Sequence, residues 1–201
     1  MSTIIIATAN QSKFREIRED LSGIFDVFYS LNDLDEKVEV EEDLPTYAEN
    51  AWKKARKIGD RFGISTLADD SGLEVEALGG RPGLYSARYG QNDQQRIDRL
   101  LTELEDVPME RRKAMFRAYL SFYTPADEKT YFFYGSLKGY IDFQRRGDEG
   151  FGFDPVFCLP DRNKSLAQIP LSEKNGISHR GRALASFRRF MTIGQFPRAW
   201  L

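Results

Sequence analysis

The chain opens its hydrophobic pattern with Ile4-Ile5-Ile6-Ala7, a β-branched run that no polar residue interrupts. Such a run predicts a strand buried on both faces. After the small polar stretch Thr8 to Lys13, apolar residues recur at Phe14, Ile17, Leu21 and Ile24, the spacing of one helix face. Thr46-Tyr47-Ala48-Glu49 has the form of a capping box. Behind it Tyr47, Ala51, Ala55, Ile58 and Phe62 mark a second helix, with Lys53, Lys54, Arg56 and Lys57 on or beside its wet face and Gly63 at its end. Ile64 to Ala68 then predicts a strand, Asp69-Asp70-Ser71-Gly72 a polar turn, and Leu73 to Leu78 a second strand of period two.

Gly79 to Gly83 is turn-forming, and Ile97, Leu100, Leu101 and Leu104 predict a third helix ending before Pro108. Ala114, Phe116, Ala118, Leu120 and Phe122 alternate along a long strand; Thr124 to Asp127 turns it, and Thr130 to Leu137 returns as an antiparallel partner. The last helix carries Ala183, Leu184, Phe187 and Met191 on its buried face, with Ser178 as its N-cap. Beyond Gly194 the pattern suggests an ordered tail or short extension. The order of elements is that of a mixed α/β fold, without a repeat or a linker.

Composition narrows this picture. A chain of 201 residues with 41% hydrophobic content, 15 Phe and 9 Tyr has the means to build a substantial core, as one domain or two intimately packed lobes. The net charge of −2, with basic residues dispersed among acids, argues against a nucleic-acid-binding surface. A charged substrate therefore needs a local positive pocket. The single Cys158 lies in an apolar run and reads as a core residue of a reducing compartment. No apolar run reaches membrane-spanning length, and Met1 to Ile6 lacks the form of a signal peptide. The expectation is a soluble cytoplasmic protein.

Four stretches carry candidate chemistry. In Asp69-Asp70 the carboxylates are adjacent, so in a strand they would point to opposite faces. Close carboxylates raise each other's pKa unless a cation intervenes, so the pair suits a hard cation, or else a turn in which Asp and Ser bond their own backbone. Thr8-Ala9-Asn10-Gln11-Ser12-Lys13 joins a strand to a helix start, an arrangement that aims N–H groups at an anion. Lys13 there opposes the helix dipole and calls for an anionic partner such as phosphate. Gly150-Phe151-Gly152-Phe153-Asp154-Pro155 sets aromatic rings among glycines; such rings either plug the core or offer a face to a nucleobase. Lys174, the sole histidine His179, and Arg180 cluster near the last helix start, and Arg88 is either a surface charge or a phosphate contact. In the acid-rich run 35–43, Glu41 or Glu42 is a candidate to share a metal with the Asp pair.

These stretches, in this order, together with Leu78-Gly79-Gly80-Arg81-Pro82-Gly83-Leu84-Tyr85-Ser86-Ala87-Arg88-Tyr89, resemble the inosine/xanthosine triphosphate pyrophosphatases, the Ham1/RdgB-like family. The resemblance implies a single elongated two-lobed domain over residues 1–201 with the active cleft between the lobes. It implies hydrolysis of the non-standard purine nucleotides ITP, dITP and XTP to monophosphate and pyrophosphate, with Mg²⁺, by a homodimer. By the same resemblance Thr8, Ala9, Asn10, Gln11, Ser12 and Lys13 hold the triphosphate, and Asp70 is general base and metal ligand with Glu41 or Glu42. Ser71, Phe151, Gly152, Phe153, Asp154, Lys174, His179 and Arg180 complete the nucleotide site, with Arg180 and His179 as donors toward the purine O6. Ala9 stands where the family usually has glycine, and Phe153 where it has Tyr or Trp. The alternatives are a Maf-like pyrophosphatase of other specificity and a nucleotide-binding protein with weakened catalysis.

Overall fold

Strand β1 (Thr3–Ile6) is the isoleucine run, and Ile4, Ile5 and Ile6 are fully buried in the computed structural model, which describes residues 1–193. The tail expected after Gly194 lies outside the described residues. β1 pairs in parallel with β2 (Val27–Ser30) and with β3 (Thr66–Val75), and a central parallel strand is covered on both faces. Alternation sorts its side chains. Ile4 and Ile6 pack with Ile17 and Leu21 of α1 (Gln11–Leu21) and with Ala183, Leu184 and Phe187 of α5 (His179–Ile193). Ile5 and Ala7 pack instead with Ala55 and Ile58 of α2 (Tyr47–Phe62). Each buried isoleucine contributes about 1.5–3 kcal/mol relative to exposure, so three residues anchor helices on both sides.

The ends of α2 are set locally, as its sequence predicts. Thr46 Oγ1 accepts from the Glu49 N–H and donates to the Glu49 carboxylate, and Gly63 closes the helix in the left-handed conformation. The acid-rich run before α2 is tied back to that helix, by Arg61 to Glu36, Lys53 to Asp43 and Lys57 to the Glu39 carbonyl. Basic residues on the next helix thus hold this run in place.

Two sheet predictions are corrected. Asp69-Asp70-Ser71-Gly72 is no turn but the middle of the unbroken strand β3. The turn preference of Asp, Ser and Gly yields here because side chains satisfy the acids, as described below. β5 (Lys129–Ile141) outruns the predicted Thr130–Leu137, continuing through Gly139. It follows β4 (Lys113–Thr124) after four residues and lies beside it in the sheet.

The full strand order is β2-β1-β3-β4-β5-β6-β7, with β6 (Phe157–Leu159) and β7 (Lys164–Ser165) antiparallel to their neighbours. The chain divides into two units: Met1–Asp70, Ala118–Gly135 and the chain from Arg180 form the first, Ser71–Arg117 and Ser136–His179 the second. The second unit also holds α3 (Asp93–Glu103) and α4 (Leu171–Ile177). Its core joins Leu73 and Val75 of β3 to Ile97 and Leu100 of α3, Phe116 of β4, and Ile141 and Phe157. Buried Arg112 donates to the carbonyls of Leu104, Val107 and Asp142, closing the loop after α3. Cys158 is buried, as expected of a core cysteine.

Candidate active site

The alternation of β3 splits the two aspartates. Leu67 belongs to the core shared with α1 and α5, and Asp69, two residues on, has the same facing. There its Oδ2 lies 2.8 Å from Lys13 Nζ of α1 and 3.2 Å from Arg180 of α5. Arg180 pairs in turn with Glu16 of α1 at 2.6 Å. Glu16, Asp69 and Arg180 are each less than 5% exposed, so this is a buried chain of alternating charge. Burial alone would raise the Asp69 pKa, but Arg180, Lys13 and Lys54 together hold it far below the usual carboxylate range. Asp69 is therefore ionised, and its Oδ2 serves as counter-ion to Lys13 and Arg180.

Asp70 takes the other facing, that of Ala68 and α2. Its carboxyl is pushed up to about 6, first by burial and then by the nearby Glu42 carboxylate, against the pull of Lys54 and Lys13. Lys54 donates to the backbone carbonyl of Asp69 at 3.0 Å and to Glu42. Burial opposes ionisation of Glu42 too, but Lys54 outweighs it and lowers the pKa. Adjacent residues of one strand thus have opposite ionisation tendencies, a division associated with acid–base chemistry. The placing of Lys54 on the wet face of α2 is corrected: it is buried. Its spacing, three after Ala51 and four before Ile58, carried that signal.

At the start of α1, Asn10 is the N-cap; its side chain accepts from the N–H groups of Ser12 and Lys13 at 2.9 and 3.0 Å. Thr8 Oγ1 accepts from the Asn10 N–H at 3.1 Å. Two of the helix-start amides expected to face an anion are therefore occupied by Asn10. Among the described residues, the non-glycine positions with positive φ are Glu128 and Asn163, so Ala9 stands without left-handed backbone strain in a place where the family usually has glycine. Of the two glutamates, Glu41 is exposed and Glu42 is the one beside Asp70.

The second unit contributes a different arrangement. Asp154 Oδ2 accepts from the Phe151 N–H at 2.9 Å and from Lys174 Nζ at 2.5 Å. Both Asp154 and Lys174 are buried, and Lys174 Nζ also lies 5.0 Å from the Phe151 ring centre. Gly150 has φ +79°, and a Cβ there would sit 2.2 Å from Asp154 Oδ2, so only glycine admits this closed loop. Phe153 is buried against Tyr89 in the core, whereas Phe151 is partly exposed, which leaves Phe151 as the ring able to meet a ligand. The His179 ring stacks on Phe116 with centroids 4.6 Å apart. Ser71 is partly exposed on β3, and Arg88 lies over the Tyr85 ring.

Sequence reasoning missed Glu16, Lys54 and the counter-ion role of Asp69. Glu16 meets Arg180, 164 residues away, and no local periodicity encodes such a partner.

Residues 4–190 match the model of the Ham1 family, and the chain belongs to that family. It is 47% identical over 188 residues to the dITP/XTP pyrophosphatase of Geobacter sulfurreducens, covering 92% of this chain and 94% of the relative. The Bacillus cereus dITP/XTP pyrophosphatase is 43% identical over 92% of each chain. Among solved structures, a HAM1 protein from Coxiella burnetii aligns with TM-score 0.85 at 35% identity, over 96% of this chain and 100% of that one. The Staphylococcus aureus Ham1 protein aligns with TM-score 0.83 at 34% identity, over 95% and 98%. These relatives do not favour the Maf-like alternative.

Proposed function

We propose that this chain hydrolyses ITP, dITP and XTP to the nucleoside monophosphate and pyrophosphate, with Asp70 as general base. The observation that supports this most is the splitting of Asp69 from Asp70: one carboxylate pairs with Lys13 and Arg180, the other keeps a raised pKa beside Glu42. The names of the relatives supply the substrate class.

Asp70 and Glu42 offer hard oxygen donors, and the mutual repulsion that helps raise Asp70 is relieved by a divalent cation, so the pair fits Mg²⁺. Among the described residues, no group of three or more His, Cys, Asp or Glu side chains could hold a metal ion. When bound there, Mg²⁺ supplies neutralisation of phosphate charge and a more acidic water. Asp70 takes a proton from the attacking water as its oxygen bonds to the α-phosphorus. The bond from that phosphorus to the bridging oxygen breaks, and pyrophosphate leaves with the electron pair. Lys13 stabilises the charge on the leaving group, and Thr8 to Ser12 position the triphosphate. Lys54 holds Glu42 and the Asp69 backbone, which fixes where Asp70 points.

Base recognition falls to Phe151, Gly152, Ser71, Lys174 and His179, with Asp154 and Phe153 shaping the loop. Phe151 stacks on the purine, worth about 1–3 kcal/mol. A donor facing O6 favours hypoxanthine and xanthine over adenine, whose amino group would leave that donor unmatched. The engagement of Arg180 with Glu16 and Asp69 makes His179 the stronger of the two O6 donors. The family resemblance further suggests a cytoplasmic homodimer formed from a single two-lobed domain. No helix among the described residues is long and apolar enough to cross a membrane.

Pyrophosphate release should be measured from ITP, XTP, ATP, GTP, dTTP and UTP, with and without Mg²⁺. The proposal expects Mg²⁺-dependent release from ITP and XTP far above the rest. Preference for dTTP or UTP would select the Maf-like reading, and ITP binding without release would select a catalytically weakened binder.

A further inference from the structure

The two amides that flank the Phe151 carbonyl and side chain are each held by a carboxylate, and only one of these carboxylates belongs to the loop. The Phe151 N–H donates to Asp154 within the loop. The following N–H, that of Gly152, donates to Asp93 Oδ2 at 2.7 Å, 59 residues away in the first turn of α3. Gly152 has φ +62°, and a Cβ built there would meet nothing within 4 Å, so packing does not fix the loop at this point. The hydrogen bond to Asp93 does. Asp93 is held in its own place by Arg96, whose guanidinium lies 2.5 Å from Oδ1 and also donates to the Gly90 carbonyl. Nearby, Arg145 ahead of the loop pairs with Asp98 of α3, and Phe153 in the loop meets Tyr89, which precedes that helix.

We infer that Asp93 is a positioning residue for nucleobase recognition, acting through the Gly152 amide to fix the Phe151 ring. The inference rests on the reading of Phe151 as the surface on which the purine stacks. A charge-assisted hydrogen bond to a backbone amide is stronger than a neutral one and directional, so losing it frees one end of the aromatic segment. The phosphate chemistry of the first unit uses other residues and is left intact.

The test compares Asp93→Ala, Asp93→Asn, Arg96→Gln and Phe151→Ala in ITP hydrolysis, with inhibition by inorganic pyrophosphate as a probe that carries no base. Asp93→Ala should raise KM for ITP about tenfold with little change in kcat, the scale of one hydrogen bond to a charged group. Its pyrophosphate inhibition should match the parent. Asp93→Asn keeps an acceptor for the Gly152 N–H and should restore most of the loss; Arg96→Gln keeps the Asp93 carboxylate but loosens it, and should raise KM less than Asp93→Ala does. Unchanged KM in Asp93→Ala while Phe151→Ala is impaired overturns the role of Asp93 alone. Failure of the asparagine to rescue, or pyrophosphate inhibition weakening in step with KM, overturns it as well. A parental KM in Phe151→Ala overturns the stacking role of Phe151, and the inference about Asp93 with it.

Discussion

The two units of this chain place charge in opposite ways. In the first, ionised side chains are buried in rows: Glu16, Arg180, Asp69 and Lys13 alternate in sign, and Glu42 and Lys54 sit across the strand near Asp70. Around the glycine-rich loop of the second, the buried pair Lys174 and Asp154 is joined by contacts to the Phe151 and Gly152 amides and to the Phe151 ring. The first arrangement suits a reaction in which charge and protons move, because groups fixed in a low-dielectric setting need not reorganise. The second suits recognition of a flat, neutral ring. The difference begins in the backbone. A strand sends neighbouring carboxylates to opposite faces, whereas the glycine turn points successive amides at two different carboxylates, Asp154 within the loop and Asp93 outside it.

Four substitutions sharpen this contrast. The largest effect is expected from Asp70→Asn: turnover of ITP should drop by roughly 10³-fold, in the range for loss of a general base, while calorimetry shows nucleotide binding nearly intact. Parental turnover would remove Asp70 from the mechanism. Next comes Arg180→Ala, which leaves Glu16 and Asp69 buried without the cation between them. Urea unfolding should register a loss of about 3–5 kcal/mol, the cost of breaking a buried ion pair. Lys174→Ala strands only one carboxylate and should cost less; an equal or greater loss there would undo the distinction between the units. The smallest effect is expected from Gly150→Ala, where backbone strain of about 1–3 kcal/mol and the clash with Asp154 disturb the loop. It should raise KM for ITP while leaving kcat little altered, and a fall in kcat alone would contradict it.

Much of the scaffold was legible in local pattern. The isoleucine run, the Thr46 cap, the Gly63 stop and the apolar stripes of α1, α2, α3 and α5 lie where the spacing of residues puts them. The errors came where distant partners override local preference. Asp69-Asp70-Ser71-Gly72 has the composition of a turn, yet lysines from α1 and α2 and the arginine of α5 satisfy it as a strand. The return strand predicted to end at Leu137 runs on through Gly139, where a Cβ would lie 2.5 Å from the Cys158 carbonyl, so this glycine lets β6 approach β5. In the site, Asp70, Lys13, Phe151 and Lys174 stand out by residue type and setting. Glu16, Lys54 and Asp93 do not, because each acts on a group 15 to 164 residues away.

The most direct test of the split aspartates is thermodynamic. Asp70, with its pKa raised to about 6, binds a proton in the folded state over a pH range in which the unfolded chain has released it. Its contribution is favourable below that range and becomes a cost of about 2–3 kcal/mol above pH 6. Asp69, with its pKa depressed, stabilises the fold above the ordinary carboxylate pKa, and that contribution is lost as pH falls through its folded value. Metal-free Asp70→Asn and Asp69→Asn proteins should therefore be unfolded in urea at pH 7 and again near pH 5. The account predicts that Asp70→Asn is more stable than the parent at pH 7, with the gain shrinking toward pH 5, and that Asp69→Asn is less stable at both. Two variants that shift stability in the same direction at pH 7 would contradict it.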